Sequence, residues 1–508
     1  MELVISYSSP SCLTASTLYY QSNTLVLERK QTNYHPSIWD KKLFESLSTP
    51  YSYESHATRL EGPKQDVKNL LTSTKDPSVL MKLIDSMQRL GVDYHFEKEI
   101  EKVLGIQHPD VTSDLYTTAL LFRIVRERGF PISSDVFDKF RSSDGRFMDS
   151  LSRDVEGLLS LYEATHLGMH GENILEEARD FRMKNLDSLM KILDNYSAKK
   201  VKQSLEMPLY WRIPRNINLL ELAKLDYNLV QSVYQQDLKE LERRWRDLGF
   251  KDNLKFSRDR LVENYLGAMG TISEPHLIGL TKYVCIITAI DDMYNVYGLL
   301  DELESFTDSV NRWEMENLPE YMKICYVAIL NFVNEMVCDV CKHQDLNILP
   351  YIKEEWANLC RSHLIEARWF RSGYIPTVNE YLENSCISVG AYAAAIQTYI
   401  TRLSNDLATW EVESKRGDVV KSIQYYMVHK GISEVEARHR IKELISYSWK
   451  KLNEESAKNS LPKSMIKMTL NMARTSQCIY QYGDGINTST GAFKELLTSL
   501  IVKPILIE

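Results

Sequence analysis

From about residue 64 to the C-terminus, apolar residues recur at three- and four-residue spacing, and no stretch alternates with a period of two between hairpin turns. A chain patterned in this way can bury its apolar side chains only by packing helix on helix. The stretch from Ser113 to Gly129 shows the pattern: a Thr112/Ser113 cap region, apolar Leu115, Ala119, Phe122 and Val125, then Gly129 and Pro131 as a stop signal. The expected fold class is all-α.

Proline divides the helical pattern once. Met207-Pro-Leu-Tyr-Trp-Arg-Ile-Pro-Arg-Asn216 sets two prolines among aromatic and basic residues, and no continuous helix crosses it. The expected organisation is a leader over residues 1–28, an N-terminal helical domain over 29–215 and a second helical domain over 216–508. The leader has nine Ser/Thr, no Lys or Arg, and only Glu2 and Glu28 as acids. That composition fits a short plastid transit peptide or a disordered tail better than a secretory signal, which needs a basic start and a continuous apolar stretch.

Composition removes several functions. With 61 Lys+Arg against 69 Asp+Glu, the net charge of −8 provides no general field for nucleic acid. The apolar run Tyr283–Ile290 meets Asp291-Asp292, and no uninterrupted apolar stretch reaches the roughly 18 to 20 residues of a bilayer span, so no membrane insertion is expected. The eight cysteines are scattered, and Cys338-Asp-Val-Cys341 has neither a second pair nor a histidine at finger spacing, so free thiols are expected. The 11 histidines are dispersed, and none is expected as a catalytic base.

Three segments carry chemistry. In Ala289-Ile-Asp-Asp-Met-Tyr-Asn-Val-Tyr297, buried apolar surface leads directly into two carboxylates, which is costly unless the charges are paired or bind cations. On a helix, Asp291 and Asn295 share a face with Asp292 beside them, presenting the hard oxygens that magnesium takes. In the second segment, Asn405, Thr409 and Glu413 stand at i, i+4 and i+8, and Arg402 precedes them by nearly one turn. In the third, Arg258-Asp-Arg260 offers two guanidiniums, the group best shaped for forked contact with a diphosphate. Two acidic stations and a basic clamp suit a magnesium-bound diphosphate.

These segments together resemble the plant terpene synthases of the class I, ionisation-initiated kind, most closely the monoterpene synthases, over nearly the whole chain. Asp291-Asp292-Met-Tyr-Asn295 resembles the family's aspartate-rich motif, Asn405/Thr409/Glu413 its second metal motif, and Arg258-Asp-Arg260 its arginine pair. Arg29-Lys30 with Asn33-Tyr-His-Pro-Ser-Ile-Trp39 resembles the N-terminal arginine and tryptophan element, and Leu83–Gly91, Gly157–Glu163 and Gln481–Gly485 are further matches. The resemblance implies an α-barrel-like N-terminal domain without catalytic residues and a C-terminal class I terpenoid synthase helical bundle. It also implies three Mg2+ ions, with Mn2+ as a substitute, held by Asp291, Asp292 and Asn295 and by Asn405, Thr409 and Glu413. The substrate implied is a prenyl diphosphate, bound by Arg258, Arg260, Arg402, Asp291 and Asn405; catalysis rests on Asp291, Asp292, Arg258 and Arg260. Lys415, Arg416 and Tyr480 to Asp484 would support closure. A monomer in the plastid is expected, with the cytosol as the alternative.

Four positions depart from the family pattern. Asn295 replaces an aspartate, Lys30 an arginine, and Gly267 and Cys386 stand where tryptophan is common, which implies an enlarged, permissive cavity that accepts a longer chain or releases acyclic products. The leading expectation is ionisation of geranyl diphosphate to a monoterpene. Alternatives are a farnesyl diphosphate-using sesquiterpene synthase or an inactive isoprenoid-binding relative; a chain-elongating prenyltransferase and an α/α-barrel glycosidase rank lower.

Overall fold

The computed structural model describes residues 29, 34–106, 114–189, 201–202, 221–247, 249–272, 276–344, 346–388, 395–416, 421–458, 461–481, 483–488 and 491–507. The leader 1–28, Lys30, Asn33, the proline-bracketed segment 207–216, the Val389-Gly390 pair, Gly417-Asp418 and Tyr482 lie outside the described residues. Among the described residues the regular elements are all helical, with one isolated bridge between Arg141 and Phe147.

The first half contains α1 (Tyr53–Ser73), α2 (Pro77–Leu90), α3 (Glu97–Ile106), α4 (Leu115–Glu127), α5 (Val155–Thr165) and α6 (Asn173–Leu189). Helix α2 starts where the Asp76 carboxylate accepts from the Ser78 and Val79 amides at 2.8 and 3.4 Å and Pro77 takes a first-turn position that has no amide partner. It ends at Gly91, whose φ of 73° is readily adopted only without a side chain. Helix α4 has its cap at Asp114, which accepts from the Thr117 amide at 2.8 Å; the Thr112/Ser113 pair lies outside the described residues. Leu115, Ala119, Phe122 and Val125 form its buried stripe as the spacing required. Arg123 from the same helix is 2% exposed and bonds Glu127 and Gln88 at 3.0 and 3.3 Å and also Asp85, so its burial is compensated.

The second half contains α7 (Glu221–Asp247), α8 (Leu261–Thr271), α9 (Leu277–Asp292), α10 (Leu300–Arg312), α11 (Glu320–Gln344), α12 (Leu349–Ser372), α13 (Val378–Ser388), α14 (Ala395–Arg416), α15 (Ser422–Lys430), α16 (Glu434–Ala457), α17 (Lys463–Tyr480) and α18 (Gly491–Ile501). Packing crosses the expected 215/216 division in both directions. Leu222, Leu225 and Leu229 of α7 join the core of α1 to α4, whereas Trp39, Phe44 and Leu47 from the start of the chain pack with Leu238, Tyr265, Ile479 and Leu497. A third core runs from Phe122, Phe137 and Leu161 to Tyr381, Ile400 and Trp449. The two halves thus share buried surface.

Helix α11, 25 residues long with an 18-residue window of mean hydropathy 1.6, is long and apolar enough to cross a membrane, although polar and charged residues interrupt its apolar run. Its Met322, Cys325, Tyr326, Ile329, Phe332 and Val333 are instead packed into the core beside Trp356 of α12. Cys338 and Cys341, on its outer part, are exposed free thiols.

Asn453 of α16 donates to the carbonyls of His166 and Gly168, both at 3.0 Å, across the two halves. Asn453→Ala is expected to leave two buried carbonyls less well satisfied and to cost about 2 kcal/mol, read as a lower urea midpoint at unchanged slope.

Candidate active site

Helix α9 delivers the first acidic station. Its α-helical hydrogen bonding ends at Asp292 and continues as a π-helical turn over Met293–Tyr297, an irregularity common at functional positions. The turn keeps Asn295 with Asp291, since Asn295 Nδ2 donates to Asp291 Oδ1 at 2.6 Å. The two adjacent aspartates face different surroundings. The Asp291 side chain is 33% exposed, and the Asp292 side chain is 1% exposed. Both Asp292 oxygens are engaged: Oδ2 accepts from the Arg258 amide at 2.7 Å, and Oδ1 accepts from the Tyr34 hydroxyl at 2.8 Å with Arg258 Nε also 2.8 Å away.

The clamp residues are held from two sides. Arg258 Nη2 donates to Asp291 Oδ2 at 2.5 Å and Nη1 to Asn487 Oδ1 at 3.4 Å. Arg260, 3% exposed, donates through Nη2 to the carbonyls of His35 at 2.7 Å and Asn487 at 3.1 Å. Arg260 therefore ties the N-terminal strand and the segment after Asp484 to the start of α8. Asp484 in turn holds Asn487, accepting from its amide at 3.0 Å. Trp39 completes the attachment by donating from Nε1 to Glu263 at 3.1 Å.

Helix α14 carries the second station. Thr409 Oγ1 donates to the Asn405 carbonyl at 3.0 Å, leaving its lone pairs as acceptors. Glu413 is 3.8 Å from Lys421 Nζ, and its Oε2 is buried with no hydrogen-bond partner among the described residues. Arg402 turns inward, with Nε donating to the Tyr381 hydroxyl at 2.6 Å and lying 3.4 Å from Asp406, while Nη2 is buried without a hydrogen-bond partner among the described residues. Lys415, expected at the closing face, is exposed and pairs with Glu411 one turn away at 2.8 Å, because its position on α14 points to solvent. Cys386 lies beside Tyr399, and burial pushes its thiol up to about 11. A side chain begun at Gly267 would meet only Ile479, at 3.9 Å.

The free oxygens test whether a metal fits. Asn295 Oδ1 is, like Glu413 Oε2, a buried oxygen with no hydrogen-bond partner among the described residues. Orphaned hard oxygens beside a partly open carboxylate are the donor set for magnesium, so the residues fit the ion.

Three residues escaped the sequence reading. Lys421, 8% exposed, stands at Glu413. Glu366 is 2% exposed and accepts from Asn384 at 3.2 Å and Ser388 at 2.7 Å. His363 is 1% exposed, stacks on Tyr294 with ring centroids 5.5 Å apart, and has neither ring nitrogen partnered among the described residues. One signal was available: Trp356, Cys360, His363 and Ala367 share the buried stripe of α12. Burial pushes the pKa of His363 below its ordinary value, against the pull of Asp291 and Glu366. Burial also raises Asp291, but Arg258, then His363, Lys421 and Arg402, outweigh it and hold that carboxyl below its ordinary range. For Asp292, burial with the adjacent Asp291 charge prevails over Arg258, and its pKa is raised.

Family models match both the segments that build this site and the first half of the chain. The terpene synthase N-terminal domain matches residues 35–205, the terpene synthase metal-binding domain matches 246–401, and the family 2 C-terminal metal-binding model matches 395–451. The chain belongs to the terpene synthase family. It is 53% identical to "Probable terpene synthase 9" of Ricinus communis over 94% of this chain and 91% of that protein. It is 47% identical to the chloroplastic trans-ocimene synthase of Litsea cubeba, over 96% and 92%. Its fold is similar to limonene synthase with 2-fluorolinalyl diphosphate, at TM-score 0.89 and 36% identity, covering 94% of this chain and 100% of that one. It is also similar to isoprene synthase from grey poplar, Populus x canescens, in complex with three Mg2+ ions and dimethylallyl-S-thiolodiphosphate (TM-score 0.81, 36% identity, 92% and 99% covered). This terpene synthase has the all-α two-domain fold expected from its sequence and is a metal-dependent lyase acting on diphosphates.

Arg258→Ala is expected to lower kcat/KM for diphosphate release by about 10²- to 10³-fold, the usual loss of one preorganised charge-stabilising group. A second expectation concerns pH. The unfolded chain takes up a proton at His363 near pH 6.5, the ordinary value of an imidazole, whereas the folded chain does so only at lower pH. Stability of the metal-free protein therefore falls as the pH drops below about 6.5, and His363→Phe flattens this dependence in urea titrations at several pH values.

Proposed function

We propose that this terpene synthase ionises geranyl diphosphate, releasing diphosphate and forming a monoterpene, and that acyclic products are among those released. The observation that carries this reading is the convergence of Arg258 and Asn295 on Asp291, with Lys421, which stands at Glu413, also acting on the Asp291 carboxylate, in a chain 47% identical to a trans-ocimene synthase. Asp291, Asn295, Asn405, Thr409 and Glu413 would hold the magnesium ions, three by analogy with the isoprene synthase complex, and manganese would substitute. Bound there, the metal supplies Lewis-acid stabilisation of the departing diphosphate.

The chain's own groups do the rest. Arg258, from its place over the acidic motif, stabilises the charge that develops as the carbon–oxygen bond breaks and diphosphate leaves with the electron pair. Arg402 contributes through its unpartnered Nη2. The segments bearing Tyr34, His35 and Asn487, bonded to the acidic motif and the clamp, keep water from the allylic cation. Gly267, where an added Cβ would make only an ordinary contact with Ile479 at 3.9 Å, favours a permissive cavity. We place the enzyme in the plastid as a monomer, the chloroplastic trans-ocimene synthase being a relative that supports the compartment. Helix α11 serves as a core helix, not a membrane span.

Purified protein with magnesium and, separately, geranyl, neryl and farnesyl diphosphates tests the reading. Diphosphate release with a volatile product from geranyl diphosphate is expected, and release from none of the three would sink the enzymatic reading. Gly267→Trp is expected to lower turnover of farnesyl relative to geranyl diphosphate by about 10-fold or more, because the ring fills the space a longer chain needs.

A further inference from the structure

Beyond shielding the site from water, the N-terminal segment 34–39 contacts the acidic motif directly. Tyr34 makes two contacts there. Its hydroxyl donates to Asp292 Oδ1 at 2.8 Å, and its ring lies under the Arg258 guanidinium, whose central carbon is 5.3 Å from the ring centroid. The neighbouring His35 carbonyl accepts from Arg260 at 2.7 Å, and Trp39 bonds Glu263 at 3.1 Å. Three points of one short extended segment are therefore attached to Asp292 and to the segment 258–263 that presents both arginines.

We propose that Tyr34 is a positioning residue for the diphosphate clamp: its hydroxyl fixes the Asp292 carboxylate, and Asp292 in turn fixes both the backbone and the side chain of Arg258. Asp292 is buried, and its oxygens receive the Tyr34 hydroxyl, the Arg258 amide and the Arg258 Nε edge. A carboxylate so engaged acts as a bracket for the arginine, and the partly exposed Asp291 carboxylate and the buried Asn295 Oδ1, without a hydrogen-bond partner among the described residues, remain for the metal. Burial raises the pKa of the Tyr34 phenol far above its ordinary value, so it stays a hydrogen-bond donor. The inference rests on the diphosphate reading above and adds that the clamp is complete only with the N-terminal strand docked.

Tyr34→Phe removes the hydroxyl and keeps the ring under Arg258. Calorimetric titration with magnesium and inorganic diphosphate is expected to show about 10-fold weaker binding, the effect of one hydrogen bond to a buried charge. KM for geranyl diphosphate should rise with it while kcat changes less, and the thermal midpoint should hold. In an Arg258→Lys background, where the bracket no longer has a fork to aim, Tyr34→Phe should weaken binding less than about 2-fold. A merely structural role would instead lower the thermal midpoint and give multiplying effects in the double variant. Unchanged diphosphate affinity in Tyr34→Phe, or independent effects in the double variant, overturns the proposal and leaves the enzymatic reading standing. Failure of the wild-type protein both to bind magnesium diphosphate and to turn over any substrate overturns both.

Discussion

The site depends on one compensation, the pairing of Arg258 with Asp291 and Asp292 at the end of an apolar helix. A helix that buries Ile286, Ala289 and Ile290 and then sets down two carboxylates is stable only if those charges find a cation. Arg258 supplies it to both aspartates, through its side chain and, for Asp292, its backbone amide as well. The compensation is unequal, and the inequality is useful. Asp292 is sealed, whereas Asp291, although it accepts from Arg258 and Asn295, stays partly exposed beside an amide oxygen with no hydrogen-bond partner among the described residues. One carboxylate serves the arginine and the other can serve a metal.

The same pairing joins distant parts of the chain. Arg258 and Arg260 stand between α7 and α8, and their remaining bonds go to Tyr34 and His35 on one side and Asn487 on the other. The start and the end of the chain thus meet at the mouth of the site. The first half contributes a core shared with α7, α13, α14 and α16, and its buried Arg123 network supports packing without a residue at the mouth. Its role in the catalytic half is carried by shared buried surface.

Much of the site was legible because helical periodicity turns sequence spacing into spatial spacing. Asp291 with Asn295, and Asn405 with Thr409, are bonded neighbours one turn apart, and no other information was needed to pair them. Legibility ended where a side chain can take either of two directions. Arg402 lies on the expected helix but turns to Tyr381 and Asp406, and Lys415 faces solvent with Glu411. His363 and Lys421 were invisible for a related reason: a lone histidine or lysine acquires meaning only from the charges that other helices bring to it.

The amino-acid sequence by itself determined the helical class, the stripes each helix buries and the two acidic stations, because all of these follow from contacts within a few residues. The tertiary structure decided which oxygens are consumed and which remain open. That choice depends on partners such as Tyr34, whose hydroxyl reaches Asp292 across 258 positions of chain. A carboxylate's availability is set by the hydrogen bonds it already accepts, and here those donors come from a strand and a loop that local pattern does not bring together.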